Sequence, residues 1–289
     1  PGWAYGLLTA GSSSLVLGNS LVVYEPGFTA EGWYETVSKC EVTVFTSAPT
    51  AMRLIMAAGE ELSRKYDVSC LRRLSCGGEA TNPEITLWFK KHIGVDVYDM
   101  YGITEIGMLI ANNPYLPAKP GSMGKAVSGF EVALVDENGD PVPRGSTGVI
   151  SCPKDNPYFL ARGYLNQKEK WDKAFLKGRW FNTGDLARQD EDGFYYFEGR
   201  SDDVISSAAY RIGPTEVESV LMEHPAVAES AVVGKPDELR GEIVKGFVVL
   251  KRNFKPSTDL MRDIQLHAKN KLSKHNYPKE LEFVDDLPK

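Results

Sequence analysis

Short apolar runs alternate with helix-forming segments over residues 1–105, and this alternation constrains the fold more than any other feature of the chain. The apolar runs that suit buried strands lie at residues 21–24, 42–45, 71–75 and 95–98. Between them, helices are predicted from a capping Thr29 to Cys40, over residues 49–65, and from Thr81-Asn82-Pro83 onward. A repeated order of strand, helix and strand predicts a parallel sheet covered by helices.

Two further blocks follow. Short strands at 131–135, 148–152 and 193–197, with the turn Asp136-Glu137-Asn138-Gly139, predict antiparallel hairpins in a small β-barrel or roll. From about residue 202, helices at 215–224 and 258–272 and strands at 230–233 and 244–250 predict a small α+β domain. The predicted class is α/β: residues 1–201 are part of a large domain (an α/β subdomain at 1–120 and a β-roll at 121–201), and residues 202–289 form a C-terminal domain.

Composition excludes several classes of protein. The 289 residues are 42% hydrophobic and 25% charged, which rules out a disordered tail or a collagen-like fibre. The net charge of −6 makes nucleic acid a poor partner, and no apolar run approaches the roughly 18 residues of a membrane span. The four cysteines show no C-x-x-C pair and lie far from the four histidines, so reduced thiols are expected rather than zinc. These features favour a cytoplasmic protein, or a mitochondrial-matrix one if it is eukaryotic.

Two loops follow predicted strands and carry residues suited to nucleotide binding. The glycine turn Gly77-Gly78-Glu79-Ala80 allows a planar ring to approach the backbone, and ligands of α/β sheets bind at the carboxyl ends of strands. A plain strand-to-helix turn is the alternative. The stretch from Asp99 to Glu105 ends in a hydroxyl beside a carboxylate, which can hold a phosphate and its Mg²⁺, or can be a polar loop.

Two later stretches add candidate polar contacts. Asp185 and Arg200, fifteen residues apart, can both bind a ribose, although an exposed ion pair is an equally simple reading. Tyr210-Arg211-Ile212-Gly213-Pro214 precedes a predicted helix, where the arginine can meet a phosphate.

In their order and spacing, these stretches resemble the adenylate-forming superfamily, and most of all the AMP-forming medium-chain acyl-CoA synthetases. The segments 119–125 and 222–227 and the Glu216-Val217-Glu218 run support the resemblance, which covers essentially the whole chain. It implies an acid–thiol ligase that uses ATP, Mg²⁺ and CoA. Such an enzyme converts a medium-chain or similar small carboxylic acid to an acyl-adenylate with release of pyrophosphate. It then transfers the acyl group to CoA with release of AMP. The resemblance indicates no oligomeric state.

The resemblance also implies roles for individual residues. Asp99 would contact the adenine amino group and Tyr101 would stack on the ring. Thr104 would bind the α-phosphate and Glu105 would hold Mg²⁺, and these two are the implied catalytic residues. The implied nucleotide-binding set, in which the last two residues bind ribose, is Gly77, Gly78, Glu79, Ala80, Asp99, Met100, Tyr101, Gly102, Ile103, Thr104, Asp185 and Arg200.

Further implied sites concern the other two substrates and the hinge. Trp3, Ile103 and Ile106 would border the acyl pocket, and Asp202 would be the hinge of a mobile C-terminal domain. The family usually has Ser-Gly where this chain has Ala208-Ala209, so an extra methyl group could narrow the passage for the CoA thiol. The implied CoA-binding residues are Ala208, Ala209, Tyr210, Arg211, Arg240, Tyr277, Pro278 and Lys279.

The chain departs from the family pattern at two places. The family's phosphate loop lies upstream of the Trp3 region, and its catalytic lysine lies a few residues beyond the position of Lys289; neither is matched. We therefore expect the C-terminal half or more of a synthetase, without its last segment, that does not adenylate acids alone. The alternatives are an adenylation domain that serves a carrier protein, a luciferase-like oxidative enzyme, and a non-catalytic AMP- or CoA-binding fragment.

Overall fold

A computed structural model describes residues 6, 11–117, 119–207, 210–237, 240–273 and 275–287. The chain divides into two compact units. Unit 1 comprises Pro1–Ser146, Ile150–Thr183 and Gln189–Tyr196, and unit 2 comprises Thr147–Val149, Gly184–Arg188 and Phe197–Lys289. The predicted domain boundary at residues 201–202 stays a prediction. Trp3, Ala208 and Ala209 lie outside the described residues.

The first sheet belongs to unit 1 and has the strand order β1-β2-β3-β4-β5. The first three strands are parallel, and the last two pairings are antiparallel. The predicted parallel sheet is therefore confirmed for three strands and is extended by an antiparallel edge. The strands are β1 (Val44–Ser47), β2 (Arg73–Gly77), β3 (Val97–Ile103), β4 (Gly107–Ala111) and β5 (Lys125–Ala126).

Two helices of unit 1 begin where the sequence provides a capping side chain. The Thr29 side chain accepts the Gly32 N–H before the second helix, and the Asn82 side chain accepts the Glu84 N–H before the fifth. These two helices and the third helix pack with β2 in one core, whose fully buried members include Tyr34, Met52, Ile55, Leu74 and Phe89. The first five helices are α1 (Ser13–Val16), α2 (Ala30–Lys39), α3 (Pro49–Ala57), α4 (Glu61–Lys65) and α5 (Pro83–His92).

Two predictions for unit 1 were wrong. Residues 21–24 form no strand, and their side chains are exposed, because no strand among the described residues pairs with them. An apolar run needs such a partner for its backbone N–H and C=O groups. The single helix predicted over residues 49–65 is two helices, since Gly59 at φ +80° ends α3 with a backbone conformation that a helix does not allow.

The second sheet has the order β10-β9-β7-β6, with β8 beside β9. The Asp136 carboxylate accepts the N–H groups of Asn138 and Asp140 at 2.9 and 2.8 Å, which stabilises the predicted turn after β6. The long strand β9 was not predicted. The elements are β6 (Ala133–Val135), β7 (Thr147–Pro153), α6 (Lys168–Lys173), β8 (Phe175–Leu176), β9 (Trp180–Gln189) and β10 (Tyr195–Arg200).

The third sheet lies in unit 2 and has the order β12-β11-β14-β13, with β15 parallel to β14. Two helices complete the predicted α+β domain, and Val217, Leu221, Val248, Ile264 and Ala268 are fully buried in its core. The structure adds three short strands to the two predicted ones. The elements are β11 (Ile205–Ser207), β12 (Tyr210–Ile212), α7 (Pro214–Met222), β13 (Val227–Asp237), β14 (Gly241–Leu250), α8 (Thr258–Lys271) and β15 (Glu280–Phe283). No described helix has both the length and the apolar character needed to cross a bilayer.

Candidate functional site

The parallel strands β2 and β3 bring two of the predicted loops to one edge of the first sheet. Cys76 lies opposite Asp99, and Gly77 lies opposite Met100. The carboxyl ends of parallel strands lie at the same edge, so the glycine turn leaves the sheet beside Asp99 and Met100, while β3 continues to Ile103. Gly78 has φ +88°, a conformation that L side chains rarely adopt, so a glycine is required at this turn.

The Asp99 carboxyl group is buried at this edge. Its Oδ1 atom accepts the Met100 N–H at 2.8 Å and lies 3.7 Å from the Cys76 thiol, which donates to it. Burial raises the pKa of Asp99 to about 7, and hydrogen bonds from the Thr81 hydroxyl, the Met100 N–H and the thiol oppose that rise. Burial and the neighbouring carboxylate also raise the pKa of the Cys76 thiol well above its usual value. Asp99 can therefore be neutral or ionised near pH 7.

Glu79, in the glycine turn, is held by two residues of α3. The Thr50 hydroxyl donates to its carboxylate at 2.7 Å, and the Arg53 guanidinium donates to the same oxygen at 3.2 Å. Sequence reasoning missed both partners, because they precede Glu79 by 29 and 26 residues. These contacts tie the glycine turn to α3.

The turn between β3 and β4 places Thr104 and Glu105 outside the sheet. Thr104 is exposed, whereas Glu105 is half-buried. The Tyr164 hydroxyl donates to Glu105 Oε1 at 2.7 Å, and the Ala161 N–H donates to the Glu105 carbonyl oxygen at 2.8 Å. Burial, and then the Glu105 carboxylate, raise the pKa of Tyr164 to about 12, so the phenol stays a hydrogen-bond donor. Tyr164 lies outside every sequence motif that indicated the site.

The residues of this turn fit a magnesium ion that is carried by a nucleotide. Mg²⁺ is usually bound through one or two carboxylates, with water and phosphate oxygens as its other ligands. Glu105 supplies one carboxylate beside the exposed Thr104 hydroxyl. Within the described residues, no group of three or more histidine, cysteine, aspartate or glutamate side chains could hold a metal. One carboxylate beside a hydroxyl suits Mg²⁺ that water and phosphate oxygens also coordinate.

In unit 2, Arg200 connects two aspartates. Its guanidinium lies 3.3 Å from the buried Asp185 carboxylate and donates to Asp202 at 3.0 Å through Nε. The hydrogen bond to Asp202 is the largest cause of a raised pKa of Arg200, and Arg200 in turn lowers the pKa of Asp202. Gly184, at φ +77°, packs directly under the guanidinium, where a Cβ atom would lie 3.0 Å from Arg200 Nη2.

A cleft of about 440 Å³ opens beside this group of charges, entirely within unit 2. Arg200 and Asp202 line it, together with Thr215 and Glu218 of α7 and Glu242 of β14. Two of these carboxylates are engaged with the backbone: Glu242 accepts the Ser206 N–H at 2.7 Å, and Glu218 accepts the Val232 N–H at 2.9 Å. The hinge role of Asp202 stays a prediction.

Three of the CoA candidates, Arg240, Tyr277 and Lys279, form a second group in unit 2. Lys279 Nζ lies 3.5 Å from the centroid of the Tyr277 ring, and Lys269 Nζ lies 5.8 Å from it. The Lys279 hydrogen bond lowers the pKa of Tyr277, and the charges of Lys269 and Arg240 add to the effect. These three cations and the phenol therefore make a positively charged surface that suits phosphate.

The remaining candidates are placed as follows. Tyr210 stacks on His275 with ring centroids 3.9 Å apart, and the Gln265 side chain donates to the Pro278 and Lys279 carbonyl oxygens. Ile106 is completely buried, and Ile103 is half-buried. The Arg211 side chain lies outside the described part of the chain. The acyl-pocket and CoA assignments stay predictions, as does the binding of one nucleotide by residues of both units.

Comparisons with known proteins agree on one family. The family of AMP-binding enzymes matches residues 1–165, and the AMP-binding enzyme C-terminal domain matches residues 216–289. The acetyl-coenzyme A synthetase of Bacillus subtilis (strain 168) is 42% identical over all of this chain and 50% of its own length. The mitochondrial acyl-coenzyme A synthetase ACSM3 of Rattus norvegicus is 42% identical over 92% of this chain and 46% of its own.

A solved structure shows the same fold. The anthranilate CoA ligase AuaEII, crystallised in complex with anthranoyl-AMP, superposes with a TM-score of 0.86 at 36% identity, over 94% of this chain and 52% of that one. The chain thus spans about half the length of the relatives that it matches.

Proposed function

The chain belongs to the AMP-binding enzyme family, and from that membership we propose that it is part of an acid–thiol ligase of the acyl-CoA synthetase type. In the proposed first step, a carboxylate attacks the α-phosphorus of ATP, so that an acyl-adenylate forms and pyrophosphate leaves. In the second step, the thiol of CoA attacks the acyl carbonyl carbon and AMP leaves. Because the chain spans about half the length of its relatives, we propose this activity for a protein of the relatives' length.

The observation that carries the proposal is the shared edge of β2 and β3. This edge sets the glycine turn next to Asp99, and β3 continues from Asp99 to the turn that carries Glu105. We propose that the buried Asp99 accepts a hydrogen bond from the adenine amino group and that Glu105 holds the Mg²⁺ of Mg·ATP, which would neutralise phosphate charge as the adenylate forms. Thr104 would donate to the α-phosphate. The protein's part in this chemistry is to position reactants and to offset negative charge.

The groups in unit 2 have complementary proposed roles. The Asp185 carboxylate, held by Arg200, would accept hydrogen bonds from the ribose hydroxyls. The cations around Tyr277 would bind the phosphates of CoA. The names of the relatives contain acetyl and anthranilate, so we propose a small carboxylic acid as the substrate class. The cytoplasmic or mitochondrial location stays a prediction.

Calorimetric titration of AMP into the 289-residue chain tests the nucleotide site. We expect binding that weakens about tenfold or more in Asp185→Asn, because a neutral amide replaces a charged acceptor. Asp155→Asn, at an exposed carboxylate of unit 1, is the matched control and should bind AMP like the parent chain. A folded chain that binds no AMP, or equal affinity in both variants, would contradict the proposed site.

The acceptor is tested separately in a protein of the relatives' length. Thioester formation is followed with acetate, octanoate, benzoate and anthranilate, using either free CoA or an acyl carrier protein as the thiol. The proposal expects CoA to be acylated. Transfer to the carrier protein alone would instead assign a carrier-linked adenylation enzyme.

A further inference from the structure

Residues 160–164, here called the bracing segment, contact the turn of residues 103–107 at three points. The Tyr164 hydroxyl donates to Glu105 Oε1 at 2.7 Å. The Ala161 N–H donates to the Glu105 carbonyl oxygen at 2.8 Å. The Leu160 side chain covers Gly107, where an added Cβ would lie 3.2 Å from Leu160 Cδ1. One segment therefore holds both the backbone and the carboxylate of Glu105.

The Tyr164 hydroxyl is itself held in place by packing. The ring meets Trp171 of α6 edge to face, with centroids 5.3 Å apart, and Lys170 Nζ lies 5.2 Å from the ring centroid. Trp171 in turn contacts Phe175 and Phe181 at centroid distances of 5.3 and 5.7 Å. An aromatic cluster thus anchors the ring, so the hydroxyl approaches Glu105 from a fixed direction.

The contact leaves the two oxygens of the Glu105 carboxylate in different states. Oε1 accepts the phenol, whereas Oε2 has no hydrogen-bond donor among the residues that the structure describes. A free glutamate side chain rotates about three bonds, and a cation with strict octahedral geometry gains from a ligand whose orientation is already set.

We propose that Tyr164 is a positioning residue for Glu105: its hydroxyl holds Oε1, so that Oε2 is presented to the divalent cation that accompanies bound ATP. The inference rests on the proposed function, since it takes Glu105 as the cation ligand. It adds a role for a residue outside the motifs that indicated the site. At metal sites in general, removal of such a supporting hydrogen bond weakens metal affinity about 10- to 100-fold.

The test replaces only the hydroxyl. Tyr164→Phe keeps the ring and its packing, and Tyr158→Phe is the matched control, since Tyr158 lies nearby on an exposed part of the same loop. Mn²⁺, which electron paramagnetic resonance detects, is titrated into each chain with ATP present, and AMP affinity is measured without metal. We expect Tyr164→Phe to weaken ATP-dependent Mn²⁺ binding about 10- to 100-fold and to leave AMP affinity unchanged. Tyr158→Phe should match the parent chain in both measurements.

Each result decides the proposal. Equal Mn²⁺ affinity in Tyr164→Phe and the parent chain overturns it, and so does a parallel loss of AMP affinity, which would indicate a merely structural role. If the parent chain binds Mn²⁺ and ATP no better than Glu105→Gln does, the proposed metal ligand fails. Hydrogen exchange at the Ile106 and Ala161 amides then decides whether Tyr164 holds Glu105. Exchange about tenfold faster in Tyr164→Phe alone supports this positioning, and unchanged exchange refutes it.

Discussion

Replacement of Asp99 by asparagine should change how the stability of unit 1 depends on pH. The pKa of Asp99 is raised to about 7 in the folded chain because the carboxyl group is buried. In the unfolded chain the same group ionises near its ordinary value of 3.8. The folded state therefore binds the proton more tightly. The stabilisation that Asp99 provides is complete below about pH 4 and is lost as the pH rises through about 7.

The size of the effect follows from the shift. A rise from 3.8 to about 7, at about 1.4 kcal/mol for each pKa unit, corresponds to about 4 kcal/mol of unfolding free energy. This is the upper limit of the stability that the chain loses as the pH rises, and the loss is complete above pH 7. Between pH 5 and pH 8 the contribution of Asp99 to the free energy of unfolding falls by about 2.5 kcal/mol. Asparagine has nearly the same shape as aspartate and does not ionise. Relative to the parent chain, the unfolding free energy of the Asp99→Asn variant should therefore rise by about the same amount between pH 5 and pH 8.

Urea unfolding at pH 5 and pH 8, followed by tryptophan fluorescence, measures the difference. All five tryptophans of the sequence lie in the ranges of unit 1, so the signal reports on the unit that contains Asp99. Asp155→Asn changes an exposed side chain in the same unit, so its free energy of unfolding should differ from that of the parent chain by the same amount at both pH values. If the difference in unfolding free energy between Asp99→Asn and the parent chain is also the same at pH 5 and pH 8, the buried carboxyl group titrates normally. That result would refute the argument from burial.

Three further changes test other contacts. Gly102→Ala should cost unit 1 roughly 1–3 kcal/mol of unfolding free energy, because the added Cβ would lie 2.3 Å from a backbone oxygen. Gly27→Ala, in open space, should cost under about 0.5 kcal/mol in the same urea titration. Arg200→Met should cost about 1–3 kcal/mol, since it strips the buried Asp185 of its guanidinium partner; unchanged amide exchange in unit 2 would contradict this. Burial lowers the pKa of His267, so its contribution to stability is present above about pH 6.5 and is lost as the pH falls; His267→Gln should flatten that decline in a thermal melt.

Local chemistry explains which parts of the fold were predictable. The helices that begin after Thr29 and Asn82 start where a side chain accepts a backbone N–H a few residues away, and a sequence shows such contacts directly. The strand β15 pairs with β14 in parallel, at a separation of about 35 residues. β11 is three residues long and carries two serines. Neither strand has a pattern of its own, since each exists through its partner.

The same distinction applies to the candidate site. The loops at Gly77 and Asp99 were predictable because glycine turns and paired polar residues after strands are visible in sequence. The burial of Asp99 was not, because it depends on the register that places Cys76 opposite it. Tyr164 was not predictable either, since its contact with Glu105 spans 59 residues and comes from packing around Trp171.

A bulge in β4, opposite the Tyr101–Gly102 junction of β3, marks the point where β3 changes environment. Up to Tyr101 the pairing with β4 is regular, and Asp99 lies in the interior, where burial controls its pKa. The register shifts between Tyr101 and Gly102, where an extra side-chain atom would collide with the backbone of β4. The extra residue is Leu109 of β4, and a bulge bends the strand that carries it and increases the local twist. Gly102 and Ile103 stay paired with β4, and the turn that follows leaves the sheet and brings Glu105 to Tyr164. A buried proton-binding group and a carboxylate outside the sheet therefore lie six positions apart on one segment.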